Sequence, residues 1–137
     1  MKTDMPTPKK IERSWHLIDL QDKVLGRVSS EIASILMGKH KAYFAPHIDC
    51  GDYVVLTNAS GIKLTGKKAG IKTYYSHSNY PSGFKTITFD KQMEKNPCLV
   101  ITHAVKGMLP DNKLLKNRMK RLKIFVDANH PYADKLK

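Results

Sequence analysis

The chain has 137 residues, 41% of them hydrophobic, which suits one domain with a modest core. No stretch approaches the roughly 18 consecutive apolar residues of a membrane-spanning helix. Twenty-four Lys and Arg against twelve Asp and Glu give a net charge of +12, distributed as +1 over residues 1–60, +11 over 61–123 and zero over 124–137. Solvated surfaces usually mix their signs, so this concentration points to a polyanionic partner. Nucleic acid is favoured over an anionic membrane, because no basic stretch carries a broad Trp/Phe/Leu face.

Residues 1–13 combine Lys2, Lys9, Lys10 and Arg13 with Asp4, Glu12, Pro6 and Pro8. They have no apolar run and no Arg/Ser amphipathic pattern, so they read as a short flexible arm rather than a targeting signal. Trp15–Asp19 (WHLID) predicts a first strand, and Asp22 is a candidate cap for the helix after it. Leu25, Val28, Ile32, Ile35 and Leu36 recur at the spacing of one helix face, and Gly38 is placed to end that helix. Lys39–Asp52 is polar and carries Pro46 and Gly51, as a loop does. Tyr53–Thr57 (YVVLT) is nearly continuously apolar, the pattern of a strand covered on both faces in a parallel sheet. Asn58–Gly61 predicts a turn, and the alternation of Ile62–Thr65 a half-exposed strand.

Gly66–Gly83 is a basic, aromatic loop or hairpin, followed by a short strand at Phe84–Thr88. Asp90 could open a short helix to Lys95. Asn96-Pro97 places a cap residue before a proline at the first helical position. The following helix, Cys98–Leu109, is apolar on most sides and should be largely buried; Gly107 and Pro110 end it. Asp111 to about Arg121 predicts a cationic helix, and Ile124–Val126 a last strand. Strands alternating with helices favour an α/β sandwich with a small parallel sheet. The expected organisation is an arm (1–13), a single domain (14–132) carrying a basic β-rich insertion (66–88), and a polar tail (133–137).

Several motifs are weaker than their spacing suggests. Gly61-Ile62-Lys63-Leu64-Thr65-Gly66-Lys67 matches the spacing of a phosphate-binding loop, but Lys68 stands where Ser or Thr should hold magnesium, and the intervening residues alternate like a strand. Gly26 belongs to no dinucleotide fingerprint. His40, His47 and Cys50 fall close together, but zinc sites want four ligands in recognisable pairs, so no metal or other cofactor is expected. Cys50 and Cys98 form no CxxC pair and read as small, largely buried residues. No nucleophile elbow is present, and Asp49 and Asp52, flanking Gly51, are read as organising a turn. No catalytic set emerges.

The basic elements are more informative. Lys67, Lys68 and Lys72 precede Tyr74, Tyr75, His77 and Tyr80, with Lys85 after them. Lysine attracts phosphates irrespective of sequence, and Tyr and His rings can stack on unpaired bases. One of Tyr74 and Tyr75 should face the core instead. In the late helix, Lys113, Lys116 and Lys120 fall at i, i+3 and i+7, with Arg118, Arg121 and Lys123 nearby, and no acid follows Asp111 until Asp127. This argues for RNA contact rather than mere solubility.

Trp15-His16-Leu17-Ile18-Asp19, Leu25-Gly26-Arg27, Met37-Gly38-Lys39-His40-Lys41, Gly51-Asp52-Tyr53-Val54-Val55, Asn58-Ala59, Leu64-Thr65-Gly66-Lys67-Lys68, Tyr74-Tyr75-Ser76-His77, Ala104-Val105-Lys106-Gly107-Met108-Leu109-Pro110 and His130-Pro131 occur in that order. In combination they resemble the ribosomal protein L13 family, in its bacterial or organellar form, over residues 14–132. The resemblance implies a structural constituent of the large ribosomal subunit, cytoplasmic or organellar, that binds large-subunit ribosomal RNA, joins early in assembly, adjoins other large-subunit proteins and has no catalytic site. It implies no membrane and no small-molecule substrate. It also implies a three-layer α/β/α sandwich around a parallel four-stranded sheet. Carried over by position, its RNA contacts would be Arg27, Lys39, His40, Lys41, Lys67, Lys68, Tyr75, His77, Lys106, Lys113 and Lys116. The match departs at Leu114-Leu115-Lys116, where the family has Leu-Gly-Arg, and at Tyr132, where it has His. Two rival functions remain open: a small α/β nucleotide-binding enzyme, and an RNA-binding regulator acting off the ribosome.

Overall fold

A computed structural model describes residues 6–136. The first five residues of the arm and Lys137 of the tail lie outside the described residues. Three parallel strands form the central sheet in the order β1 (Trp15–Asp19), β2 (Tyr53–Thr57), β5 (Leu122–Ile124). Trp15 pairs with Tyr53 and Ile18 with Leu56, while Val54 pairs with Leu122. The central strand is buried on both sides: Val54, Val55 and Leu56 are fully inaccessible. This is why YVVLT lacks the alternation of a half-solvated strand.

Side chains alternate across the sheet. Ile18, Val54 and Leu56 join the main core with the helix α1 (Leu25–Met37) and the helix α4 (Pro97–Met108). On α1, Leu25, Val28, Ile32 and Leu36 form the buried stripe. Gly38 ends it at φ +81°, donating its N–H to the Ser34 and Ile35 carbonyls. The opposite face carries Trp15 and Tyr53, stacked with ring centroids 4.3 Å apart, and Tyr132 of the C-terminal segment stacks on Trp15 at 5.1 Å. Lys135, in a 3-10 turn over Ala133–Lys135, lies over the same indole at 5.1 Å.

The 66–88 segment is a helical turn, α2 (Lys68–Ile71), followed by an antiparallel hairpin of β3 (Thr73–His77) and β4 (Phe84–Thr88). Tyr74 packs partly buried against the core, and burial pushes its phenol pKa up. Tyr75 points outward and is 68% exposed. The helix α3 (Phe89–Lys95) joins the hairpin to α4, which is capped by Asn96, whose side chain accepts the Leu99 N–H. The helix α5 (Leu115–Lys120) leads into β5.

The mixed α/β sandwich with a small parallel sheet is present, with several local differences from expectation. The parallel sheet has three named strands among the described residues. Ile62–Thr65 contributes an isolated parallel bridge, Val24 to Lys63, not a ladder. Asp22 does not cap α1: the cap position is Val24, and Asp22 takes a left-handed φ of +59° and ion-pairs with Lys63. The late helix starts at Leu115 rather than Asp111, because the Asn112 side chain accepts the Leu114 N–H and holds a turn there. The last strand starts at Leu122, two residues earlier than expected. Leu99 and Met108 of α4 are exposed, so that helix is buried on one side only. Among the described residues, no helix is long and apolar enough to cross a membrane.

Candidate nucleic-acid interface

The C-terminal half of α4 is the organising feature of the basic surface. Thr102 and Lys106 share one face of it; Ala104 and Met108 share another, each pair at the i, i+4 spacing. On the Lys106 side lies an open groove of about 600 Å³. Lys116 and Lys120 of α5 line it with Lys106, and Leu115 and Met119 supply an apolar floor. On the Met108 side, Lys68 and Lys72 line a smaller groove of about 250 Å³ with Gly26, Leu64 and Thr65. Arg27, exposed in the first turn of α1, follows Gly26 directly. Lys67 is exposed just before α2. One α-helix thus separates two cationic grooves.

Beyond the second groove the hairpin presents rings. Its antiparallel register sets Tyr75 diagonally across from Phe84, and the two stack with centroids 5.8 Å apart. Phe84 is 60% exposed and Tyr80 74%. His77 is exposed, its Nδ1 accepting the Asn79 N–H. Phe84 is absent from the residues expected at the interface, since only the strand register shows that it continues the Tyr75 surface.

Lys39 and His40 are exposed and line neither groove. They follow the C-terminal end of α1, while Arg27 and Gly26 lie at its N-terminal end, roughly 18 Å away at 1.5 Å per residue. Lys113 is exposed in the turn before α5 and lines neither groove. Its expected alignment with Lys116 and Lys120 fails because residue 113 is not helical.

Three cationic candidates are drawn into the fold. Leu115 and Arg118 fall at i and i+3 of α5, which turns Arg118 inward with the leucine; it is 1% exposed. Burial pushes its guanidinium pKa down, against the partly compensating carboxylate of Asp49. Arg121 is also buried. It donates through Nη1 and Nη2 to the Asp49 carboxylate, and through Nη2 to the Leu36 carbonyl at 3.1 Å, near the end of α1. Lys41 is drawn inward as well: its Nζ donates to Asp52 Oδ1 at 2.5 Å and to the Glu12 carbonyl at 2.6 Å. Arg118 and Arg121 are thus packed within the fold, and Lys41 is half-buried against its carboxylate.

Asp49 and Asp52 accordingly do more than shape a turn. Asp52 is 1% exposed. Burial works against its charge, but hydrogen bonds from Lys41, His16 and the Ser14 N–H outweigh this and hold its carboxyl below the usual range. Arg13 donates to the carbonyls of Gly51 and Asp49, tying the end of the arm to the same loop. Cys50 is buried with its Sγ against the Tyr43 carbonyl, and Cys98 is half-buried, its thiol pKa raised by burial. His47 is exposed and does not join His40. In the segment that mimics a phosphate loop, Ile62 is buried in extended backbone and Lys63 makes the bridge to Val24, so its amides do not converge.

Fold and surface together define a small α/β protein with paired cationic grooves and an exposed aromatic hairpin. Residues 13–131 match the model of the family described as Ribosomal protein L13. The chain is 50% identical to the large ribosomal subunit protein uL13 of Citrifermentans bemidjiense, over 97% of this chain and 94% of that protein. It is 50% identical to the uL13 of Staphylococcus carnosus, over 96% of this chain and 91% of that one. It is 48% identical to the uL13 of Thermobifida fusca, over 96% and 89%. The chain belongs to the ribosomal protein L13 family.

Proposed function

We propose that this chain is a structural, non-catalytic constituent of the large ribosomal subunit that binds large-subunit ribosomal RNA and supports early subunit assembly. The observation that carries the RNA-binding part is the convergence of Lys106, Lys116 and Lys120 on one side of α4 and Lys68 and Lys72 on the other. Two grooves about one helix diameter apart suit the phosphates of two neighbouring backbone segments. The exposed Tyr75 and Phe84 rings add a stacking surface for an unpaired base. Family membership supports the ribosomal assignment, since the matched relatives carry the name large ribosomal subunit protein. Arg27, Lys67, His77 and Lys113, all exposed, complete the proposed contacts, with Lys39 and His40 forming a separate one.

The test is sedimentation of the tagged chain in cells, with a variant carrying Lys106→Glu, Lys116→Glu and Lys120→Glu. The wild-type chain should co-sediment with large-subunit particles, and the variant should shift to the free fractions and leave incomplete particles. A variant that sediments as the wild type would remove the grooves from the interface. ATP or GTP binding abolished by Lys67→Ala would favour the enzymatic alternative.

A further inference from the structure

We propose that His16, His40 and Asp52 form a binding site for one divalent transition-metal ion, zinc being the best fit. The topology makes the site. In a parallel strand–helix–strand unit, the helix returns the chain to the end where the strands begin. His16 near the start of β1, His40 in the loop after α1 and Asp52 just before β2 therefore meet at the end of the sheet where these strands begin. Their ligand atoms all lie within 4.8 Å of one another.

The two oxygens of Asp52 are differently engaged. Oδ1 accepts from Lys41 Nζ and from the Ser14 N–H. Oδ2 faces only the Nε2 atoms of His16, at 2.9 Å, and of His40, at 3.0 Å. These N···O separations are a few tenths of an ångström short of the ~3.3 Å between ligands at the corners of a tetrahedron with metal bonds of ~2.0–2.1 Å. The two rings meet edge to face at 80°, so their nitrogens converge without stacking. Both side chains are more than a third exposed, which leaves a solvent side for entry and for a water as fourth ligand. Lys41 and Ser14 orient the carboxylate from behind, as the outer partners of metal ligands do.

Two imidazoles and one carboxylate select zinc, cobalt(II) or nickel(II) over magnesium and calcium, which take oxygen ligands. On binding, each neutral ring moves its proton from Nε2 to Nδ1 through solvent, and each Nε2 lone pair turns to the ion; a protonated ring releases one proton. The ion would pin together the first strand, the loop after the first helix and the entry to the central strand.

The test uses the full chain without a histidine tag, titrated with zinc chloride and, as a spectroscopic substitute, cobalt chloride. One equivalent should bind, cobalt should show tetrahedral d–d absorption, and zinc should raise the thermal midpoint. His16→Gln and His40→Gln should each weaken binding at least tenfold, whereas His47→Gln should not. Proton–nitrogen correlation spectra of the wild type keep the question decidable if a variant fails to fold. Zinc should move Nε2 of His16 and His40 and leave the other four of the six histidines unchanged. No binding at one equivalent, or binding that follows His47, His77, His103 or His130, would overturn the proposal.

Discussion

Arg121 grips the carboxylate of Asp49 with both terminal nitrogens of its guanidinium, across 72 residues of sequence. The same side chain reaches the carbonyls of Leu36 and Asp52, so one residue after α5 fastens the loop that follows α1. Arg118 lies alongside, 3.8 Å from the same carboxylate, with its Nε and Nη1 making no hydrogen bond. Two buried guanidiniums that look alike in sequence thus differ in what they satisfy.

Their substitutions should separate accordingly. Arg121→Ala leaves the half-buried Asp49 without its two-pronged partner and should cost about 3 kcal/mol. Arg118→Met keeps the volume and removes donors that have no acceptor, so stability should hold or rise. Urea unfolding of both variants checks this. Equal losses would show that both arginines carry the fold in the same way.

Gly51 is bound to its identity by a close approach. A Cβ there would stand 1.8 Å from the Leu36 carbonyl oxygen and 2.4 Å from its carbon, both backbone atoms. Gly51→Ala must push the end of α1 away from the strand entry and should destabilise by about 1–3 kcal/mol. Gly66→Ala, where a Cβ meets nothing within 4 Å but φ is +66°, should cost only about 1 kcal/mol. Thermal unfolding in parallel compares the two.

RNA binding should divide into a salt-dependent and a salt-independent part. Lys106→Gln, Lys116→Gln and Lys120→Gln should each lower the slope of log affinity against log salt by about 1. Tyr75→Ala should cost about 1–3 kcal/mol of affinity and leave the slope unchanged. Filter binding to large-subunit ribosomal RNA fragments across a salt series reads both. A Tyr75 effect that vanished at high salt would assign the hairpin to phosphate contacts instead.

Acid should loosen the loop between α1 and β2 early. The Asp52 carboxyl titrates lower in the folded chain than in the unfolded one. Between those two values the unfolded chain holds more protons, so stability rises with pH. The contribution is complete above the unfolded value of ~3.9 and is lost as pH falls through the folded one. Asp19 and Asp22 are depressed too, but they are exposed and add little. Unfolding free energy should fall below about pH 4, and Asp52→Asn should flatten that part of the profile.

Much of the architecture was legible because it is local. WHLID and YVVLT carry their strand character in composition and length, and each occupies the expected residues. The apolar stripe and Gly38 define α1 to within a residue. Asn96-Pro97 marks a helix start that needs no distant partner. The charge excess likewise marked residues 61–123 as strongly cationic before any fold was considered. The family resemblance added the ribosomal assignment, which composition and periodicity alone do not supply.

The sequence by itself determined the order of the main strands and helices, the fold class and the concentration of positive charge, because propensity, periodicity and net charge act over neighbouring residues. Tertiary structure alone decided which charges reach that surface. Arg118 faces the core because helix rotation places it on the same side as Leu115, and Arg121 and Lys41 fold inward to carboxylates held by distant parts of the chain. It also decided that His16 meets His40 and that Phe84 extends the ring surface of Tyr75. Those pairings depend on strand register and on where a helix returns the chain, and neither is written in the residues on either side.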